Sequence, residues 1–219
     1  MLGDANNLIK NIKSDSVDLI LTDPPYELDT HGGTTKNMKR KLHDNHIAFI
    51  SNGFDMSILD EMLRVCKIPN ILMFCSNKQI SKLMSHFESK GLSTTLLVWQ
   101  KTNPIPFANG KYQEECEFII YVRGKGVTFN NEVGISGKKK ILTFPTIKGK
   151  ERNHPTEKPI DLLLRLLELH SSEGQVVLDP FMGSGSTGVA SRRIHREFIG
   201  FEIDKNYHNI AINRIDDEF

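Results

Sequence analysis

Residues 176–188 read Val176-Val177-Leu178-Asp179-Pro180-Phe181-Met182-Gly183-Ser184-Gly185-Ser186-Thr187-Gly188. A short apolar run enters a turn spaced G-x-G-x-x-G and leaves it into residues 186–195, which read as a helix. Glycines at that spacing let the backbone turn tightly and approach a ligand at the helix amino end. The next strand, read over 198–203, carries Glu202, nineteen residues after Gly183, close to the ~20 at which an acid accepts hydrogen bonds from ribose hydroxyls. The pair predicts a nucleoside-bearing cofactor. Two other readings stand beside it. The glycines could serve strand–helix packing alone, or the ligand could be a dinucleotide. Against the dinucleotide, the loop opens with Asp179-Pro180-Phe181, and only 17 residues follow Glu202, too few for a second mononucleotide-binding half unless a permuted chain supplies it from the other end.

Upstream, apolar runs alternate with helical patterns as βα units require. Strands are expected at 17–22, 71–75, 93–99 and 117–122. Helices are expected at 56–66 (Met56, Leu59, Leu63, Cys66), 80–88 (Ile80, Leu83, Met84, Phe87) and 159–170 (Ile160, Leu163, Leu164, Leu167), with a last helix at 207–215. The fold class is therefore α/β: a mostly parallel sheet with helices on both faces, whose ligands gather beyond the carboxyl ends of the strands. At 219 residues, one domain spanning 1–219 is the natural division.

Asp23-Pro24-Pro25-Tyr26 stands at the carboxyl end of the first strand. The prolines fix the backbone and bring carbonyls without amide donors, Asp23 offers a carboxylate, and Tyr26 a flat face. That set suits a planar substrate with an amino group: a carboxylate and a carbonyl accept its two N–H bonds while the ring stacks. An Asp-Pro-Pro turn with a packing tyrosine is the structural alternative.

Lys+Arg 28 against Asp+Glu 27 nearly cancel, but the charge is uneven. Residues 30–43 carry Lys36, Lys39, Arg40 and Lys41 with no acid, and residues 124–153 hold seven cations against Glu132 and Glu151. Such segments are either solvated loops or a field for a polyanion. No apolar run reaches the ~18 residues of a membrane span, and MLGDANNLIK lacks a signal-peptide core. Cys66, Cys75 and Cys116 show no metal-like spacing and suit buried thiols in a reducing compartment. The expectation is a cytoplasmic protein without a metal site.

In this order, the motifs resemble those of amino-group DNA methyltransferases that use S-adenosyl-L-methionine. DPPY at 23–26 is similar to their catalytic motif, DPFMGSGSTG at 179–188 to their cofactor loop, FEID at 201–204 to the ribose-binding stretch, and HPTEKP at 154–159 to a segment over the cofactor. Gly3-Asp4-Ala5 is similar to the stretch beside the cofactor adenine. DPPY preceding the glycine loop resembles the circularly permuted beta arrangement of this Rossmann-like fold. The strand that usually leads into the Gly3 motif is nearly missing here, and the insert after residue 123 is short for a recognition region.

The resemblance implies catalytic roles for Asp23, Pro24, Pro25 and Tyr26. It implies cofactor contacts from Asp4, Ala5, Asp23, Pro155, Thr156, Lys158, Asp179, Phe181, Gly183, Ser184, Gly185, Glu202 and Ile203. Double-stranded DNA is the expected partner, met by a loop at 27–55 through Lys36, Lys39, Arg40 and Lys41. A target-recognition insert is expected at 124–153 with Lys138, Lys139 and Lys140. Trp99, Lys101, Asn103, Pro104 and Pro106 resemble a W-x-K-x-N-P-x-P stretch, in which Asn103 is the candidate polar contact and Trp99 equally a core residue. Lys158 is read either as a partner of the cofactor carboxylate or as a solvent-facing lysine, and Glu117, which resembles a family acid ahead of the next strand, chiefly as a solvated strand-start acid. DPPY, against the SPPY-like form of cytosine-N4 enzymes, favours adenine-N6. Cytosine-N4, RNA, or a catalytically silent DNA-binding module remain the alternatives. A homodimer and a cognate restriction endonuclease acting on the same site are further partners compatible with the family.

Overall fold

Every residue of β1 (Leu19–Thr22) and β2 (Asn70–Cys75) is buried, which requires layers on both faces of the sheet. The computed structural model describes residues 1–27, 53–104, 106, 112–127, 129–130, 134–147 and 157–218. β1 and β2 lie parallel, Ile20 opposite Ile71. With β3 (Ser93–Lys101), β4 (Cys116–Arg123), β5 (Ile141–Phe144), β6 (Val176–Asp179) and β7 (Glu197–Gly200) they form a seven-stranded sheet of order β5-β3-β4-β2-β1-β6-β7. β4 runs antiparallel to β2 and β3, and every other pairing is parallel.

Period-two alternation sorts the core into two layers. Ile20, Ile71, Met73 and Leu178 meet side chains of α1 (Ala5–Leu8), α2 (Ile58–Val65) and α3 (Ile80–Glu88). Leu19, Leu21, Leu72 and Val177 meet α4 (Ile160–His170) and α5 (Ser186–Arg193). α6 (Lys205–Asp216) closes the far edge through Ala211, which is fully buried. In α4 the buried set is Leu162, Leu163, Leu166, Leu167 and Leu169, with Ile160 and Leu164 only half-covered. The stripe is thus turned from the expected one, because α4 covers the sheet and also packs on α5.

The site is positioned by a reversal of direction. From β1 the sheet is extended to one side by β2, and from β6 to the other side by β7, so a cleft opens between the carboxyl ends of β1 and β6. Both motif turns leave strands there. The strand expected at 198–203 ends at Gly200. Phe201 and Glu202 peel away, and Glu202 forms a single parallel bridge with Leu2. Gly3 N–H donates to the Glu202 carbonyl at 2.8 Å and Glu202 N–H to the Met1 carbonyl at 3.1 Å. This bridge ties the residues ahead of Gly3 to the stretch after β7.

The segment after β4 divides. Because β4 is reversed, it delivers residues 124–127, 129 and 130 to the opposite end of the sheet, where Gly126, Val127, Phe129 and Asn130 line a second cavity with His170 and Arg196. These described residues of the expected recognition insert stand at the end of the sheet away from the cleft. Lys138, Lys139 and Lys140 are exposed and lead into β5 at the sheet's outer edge. β5 itself is one short strand, held by the Trp99 indole N–H on the Phe144 carbonyl (3.0 Å) and by Asn103. The Asn103 amide donates to the Thr146 carbonyl at 3.0 Å and its oxygen accepts from Thr146 N–H at 2.6 Å.

Asn103 is therefore a clasp between β3 and the chain leaving β5, with one of its two amide hydrogens engaged. Asn103→Ala should lower stability by about 1–3 kcal/mol, a fall in Tm of about 2–10 °C at this size, in a thermal melt without any nucleic acid present.

Candidate active site

One cavity of about 540 Å³ collects the motifs, within the usual range for a small-molecule site. Asp23, Pro24, Pro25 and Tyr26 form one wall. Asp179, Phe181, Gly183 and Ser184 form the floor, and Asp4, Ala5, Glu202 and Ile203 the far side, with Lys158 above the first wall. Lys36, Lys39, Arg40, Lys41, His154, Pro155 and Thr156 lie outside the described residues, as do 28–52 of the 27–55 loop and 148–153 of the insert.

The floor begins at Asp179, which is fully buried. It accepts from the Thr22 hydroxyl at 2.8 Å and from Phe181 N–H at 3.1 Å. Burial pushes its carboxyl up to about 6, against the hydrogen bonds of Thr187 and Thr22. Gly183 and Gly185 then take positive φ, 52° and 85°, where any Cβ is strained. Gly183 lines the cavity, but Gly185 does not. A Cβ on Gly185 would stand 3.0 Å from the Ala211 backbone, so this glycine seats α5 on α6 rather than approaching a ligand. Phe181 does both, lining the cavity while its ring packs on Phe54 at 5.8 Å.

Across the floor, Glu202 is held by amides: its Oε1 accepts from Asp204 N–H at 2.8 Å. Burial raises its carboxyl, opposed by the Asp204, Gly183 and Ile203 backbone. Asp4 caps α1, accepting from Asn7 N–H at 3.1 Å. A sequence reading misses Arg214, which reaches from α6 to the Ser184 carbonyl (2.7 Å), the Ser184 hydroxyl (2.9 Å) and Glu157 (2.6 Å). It fastens the glycine turn to the segment carrying Lys158. No local pattern signals a partner 57 residues away.

The DPPY wall is stapled from the turn between β2 and α3. Gln79, almost wholly buried, donates to the Pro25 carbonyl at 3.2 Å, and its own oxygen accepts from Ser76 N–H at 3.0 Å. The Pro24 carbonyl receives no donor from the described residues. Asp23 Oδ2 pairs with the Lys158 ammonium at 2.5 Å, whereas Asp23 Oδ1 is buried without a partner, a costly arrangement outside a working site. Burial raises the Asp23 carboxyl and Lys158 opposes it.

Lys158 is not solvent-facing. Besides Asp23 it lies 3.2 Å from Glu117 and over the rings of Phe74 and Tyr26, at 4.9 and 5.5 Å. Burial alone would lower its ammonium, but Asp23 and Glu117 outweigh that and raise it. Glu117 is likewise no solvated strand-start acid. Its oxygens meet Lys101 at 3.0 Å, Lys158, and the Tyr26 hydroxyl at 3.2 Å. Burial would raise its carboxyl, but the two lysines bring it down to about 2. Among the described residues no cluster of His, Cys, Asp or Glu could hold a metal ion, and no helix is long and apolar enough to cross a membrane.

A family model described as DNA methylase, covering N6 and N4 methyltransferases, matches residues 17–213. The chain is 30% identical over 232 residues to the type II methyltransferase M.HpaI of Haemophilus parainfluenzae, covering 96% of this chain and 72% of that protein. It is also 30% identical over 233 residues to the type II methyltransferase M2.LlaDCHI of Lactococcus lactis subsp. cremoris, covering 97% and 87%. The crystal structure of an M1.HpyAVI–SAM complex superposes with a TM-score of 0.72 at 28% identity, covering 98% of this chain and 97% of that one. The cytosine-N4-specific PvuII DNA methyltransferase shares the fold, with a TM-score of 0.75 at 16% identity, covering 97% and 84%.

Gly185→Ala tests the floor. Positive φ and contact with the Ala211 backbone should together cost about 2 kcal/mol or more, lowering Tm by about 4–8 °C without adding a group to the cavity.

Proposed function

This chain belongs to the N6/N4 DNA methylase family, and we propose that it methylates the exocyclic N6 of adenine in duplex DNA, using S-adenosyl-L-methionine. The observation that carries the reading is the shared cavity, in which the unpartnered Asp23 Oδ1 and the glycine-turn floor stand on adjoining walls. The residues present fit the cofactor. Asp4 and Glu202 are carboxylates suited to the amine and hydroxyl groups of a nucleoside, and Gly183 leaves backbone bare at the floor. Bound there, the cofactor supplies an electrophilic methyl group on a sulfonium, so no metal is required.

The chain's own part is to present the amine. An adenine amine is a poor nucleophile because its lone pair is delocalised into the ring. Asp23 Oδ1 and the Pro24 carbonyl accept its two hydrogens, which localises that lone pair, while Tyr26 offers a face to the base. Gln79 occupies the Pro25 carbonyl, which leaves the Pro24 carbonyl as the second acceptor. The base is flipped from the duplex at a cost of a few kcal/mol, offset by contacts we assign to the 27–55 loop and to Lys138, Lys139 and Lys140 at the sheet edge. A cytosine amine needs the same acceptors, and the choice of adenine rests on the DPPY form of the motif.

The test is incubation with labelled S-adenosylmethionine and mixed-sequence duplex DNA, followed by digestion to nucleosides. Label is expected in N6-methyladenine. Label in N4-methylcytosine alone overturns the base assignment, and no label on any DNA overturns the enzymatic reading. Asp23→Asn should reduce turnover about 10²–10⁴-fold. Glu202→Ala should weaken cofactor binding in calorimetry about 10–100-fold, the worth of a charge-assisted hydrogen bond.

The same reading sets a pH dependence. Asp23 works ionised, and its carboxyl is held above the ordinary range by burial. Turnover should therefore be lost on acidification at a higher pH than an exposed aspartate would give, with kcat against pH as the measurement.

A further inference from the structure

Four alternating charges run across the cleft wall: Lys101 on β3, Glu117 on β4, Lys158, and Asp23 after β1. Glu117 touches Lys101, Lys158 and Tyr26 and does not itself line the cavity. We propose that Glu117 is a positioning residue of this site. Its carboxylate divides the Lys158 ammonium between two acids and fixes the Tyr26 hydroxyl, so that Asp23 keeps an unneutralised oxygen for the substrate amine. The proposal rests on the reading of Asp23 as that acceptor.

The geometry distinguishes this from a structural brace. With one carboxylate, a buried ammonium 2.5 Å from Asp23 Oδ2 would cancel most of the negative charge that pulls on the amine hydrogens. With two, the Asp23–Lys158–Glu117 group carries one excess negative charge, and Lys101 balances it only from the other Glu117 oxygen, at 3.0 Å, so that the ammonium beside Asp23 is still shared. Tyr26 gains a fixed orientation from the same carboxylate at 3.2 Å. A brace needs only a hydrogen-bonding group at position 117, whereas the division of charge needs an anion.

The consequence is directional. The titratable groups facing Asp23 are Lys158, Tyr26 from its own turn, Glu117 from β4, Cys75 from β2 and Asp179 from β6. Facing Glu117 are Lys158, Lys101 and Tyr26. Removing the Glu117 charge takes a like charge from Asp23 and frees Lys158 to serve it alone, so the acid limb of the turnover profile moves down in pH. Removing the Lys101 charge strengthens the negative field, so the limb moves up.

The experiment measures single-turnover methylation against pH, with saturating labelled S-adenosylmethionine and duplex DNA, for the full-length wild type, Glu117→Gln and Lys101→Gln, each checked by thermal melt. Glu117→Gln should lower the plateau rate about tenfold with KM for both substrates nearly unchanged, and lower the acid limb by about half a pH unit. Lys101→Gln should shift the limb the other way. If wild type turns over and neither limb moves, or both move together, or Glu117→Gln changes only KM or Tm, the proposal is overturned. If Glu117→Gln does not fold, the Lys101→Gln limb decides: up supports the proposal, unmoved overturns it. Wild type without turnover on any DNA takes down the methylation reading, and this proposal with it.

Discussion

The hydrogen bond from the Thr22 hydroxyl to the Asp179 carboxylate, 2.8 Å long and wholly buried, joins the last residue of β1 to the last residue of β6. Adjacent strands stand about 4.8 Å apart, and this bond ties the two chains together where they leave the sheet, with Thr22 one residue past the register of Asp179. The next residue on one side is Asp23, and on the other Pro180. The acceptor wall and the glycine floor therefore inherit their spacing from the sheet's own ladder. The same Asp179 oxygen receives Phe181 N–H, so it also sets the direction in which the floor begins. A carboxylate placed there is costly, as its raised titration to about 6 records, and the local hydrogen bonds offset that cost.

Much of this was legible in the residues because both turns obey one rule: they come directly after strands that end at the cleft. Val17–Thr22 and Val176–Asp179 are apolar enough to demand burial, and the residues immediately after each strand carry chemistry unsuited to a core. Glu202 and Asp4 were legible too, although the link between them is a single bridge rather than a strand.

Glu117 escaped the rule because β4 runs backwards, so its beginning reaches the cleft. Alternation of apolar residues in EFIIYV reports burial and says nothing about direction. For the same reason residues 124–127, 129 and 130, read as the start of a recognition insert, lie at the end away from the cleft. Arg214 and Glu157 escaped because an ion pair between distant elements leaves no local spacing to read. Gly185 and Asn103 carry the right residue types for ligand contact, but the fold uses their properties on itself: bare backbone for Ala211 to approach, and an amide for Thr146 to complete.

The reversed strand has a consequence for how the molecule can be altered. β3 climbs to the rim at Lys101 and β4 descends from it at Cys116, with eight residues of paired register between them. The two strands are thus an antiparallel pair with a rigid stem, not parallel neighbours that need a crossover. Chain can be lengthened or exchanged between them without unpicking a parallel pairing.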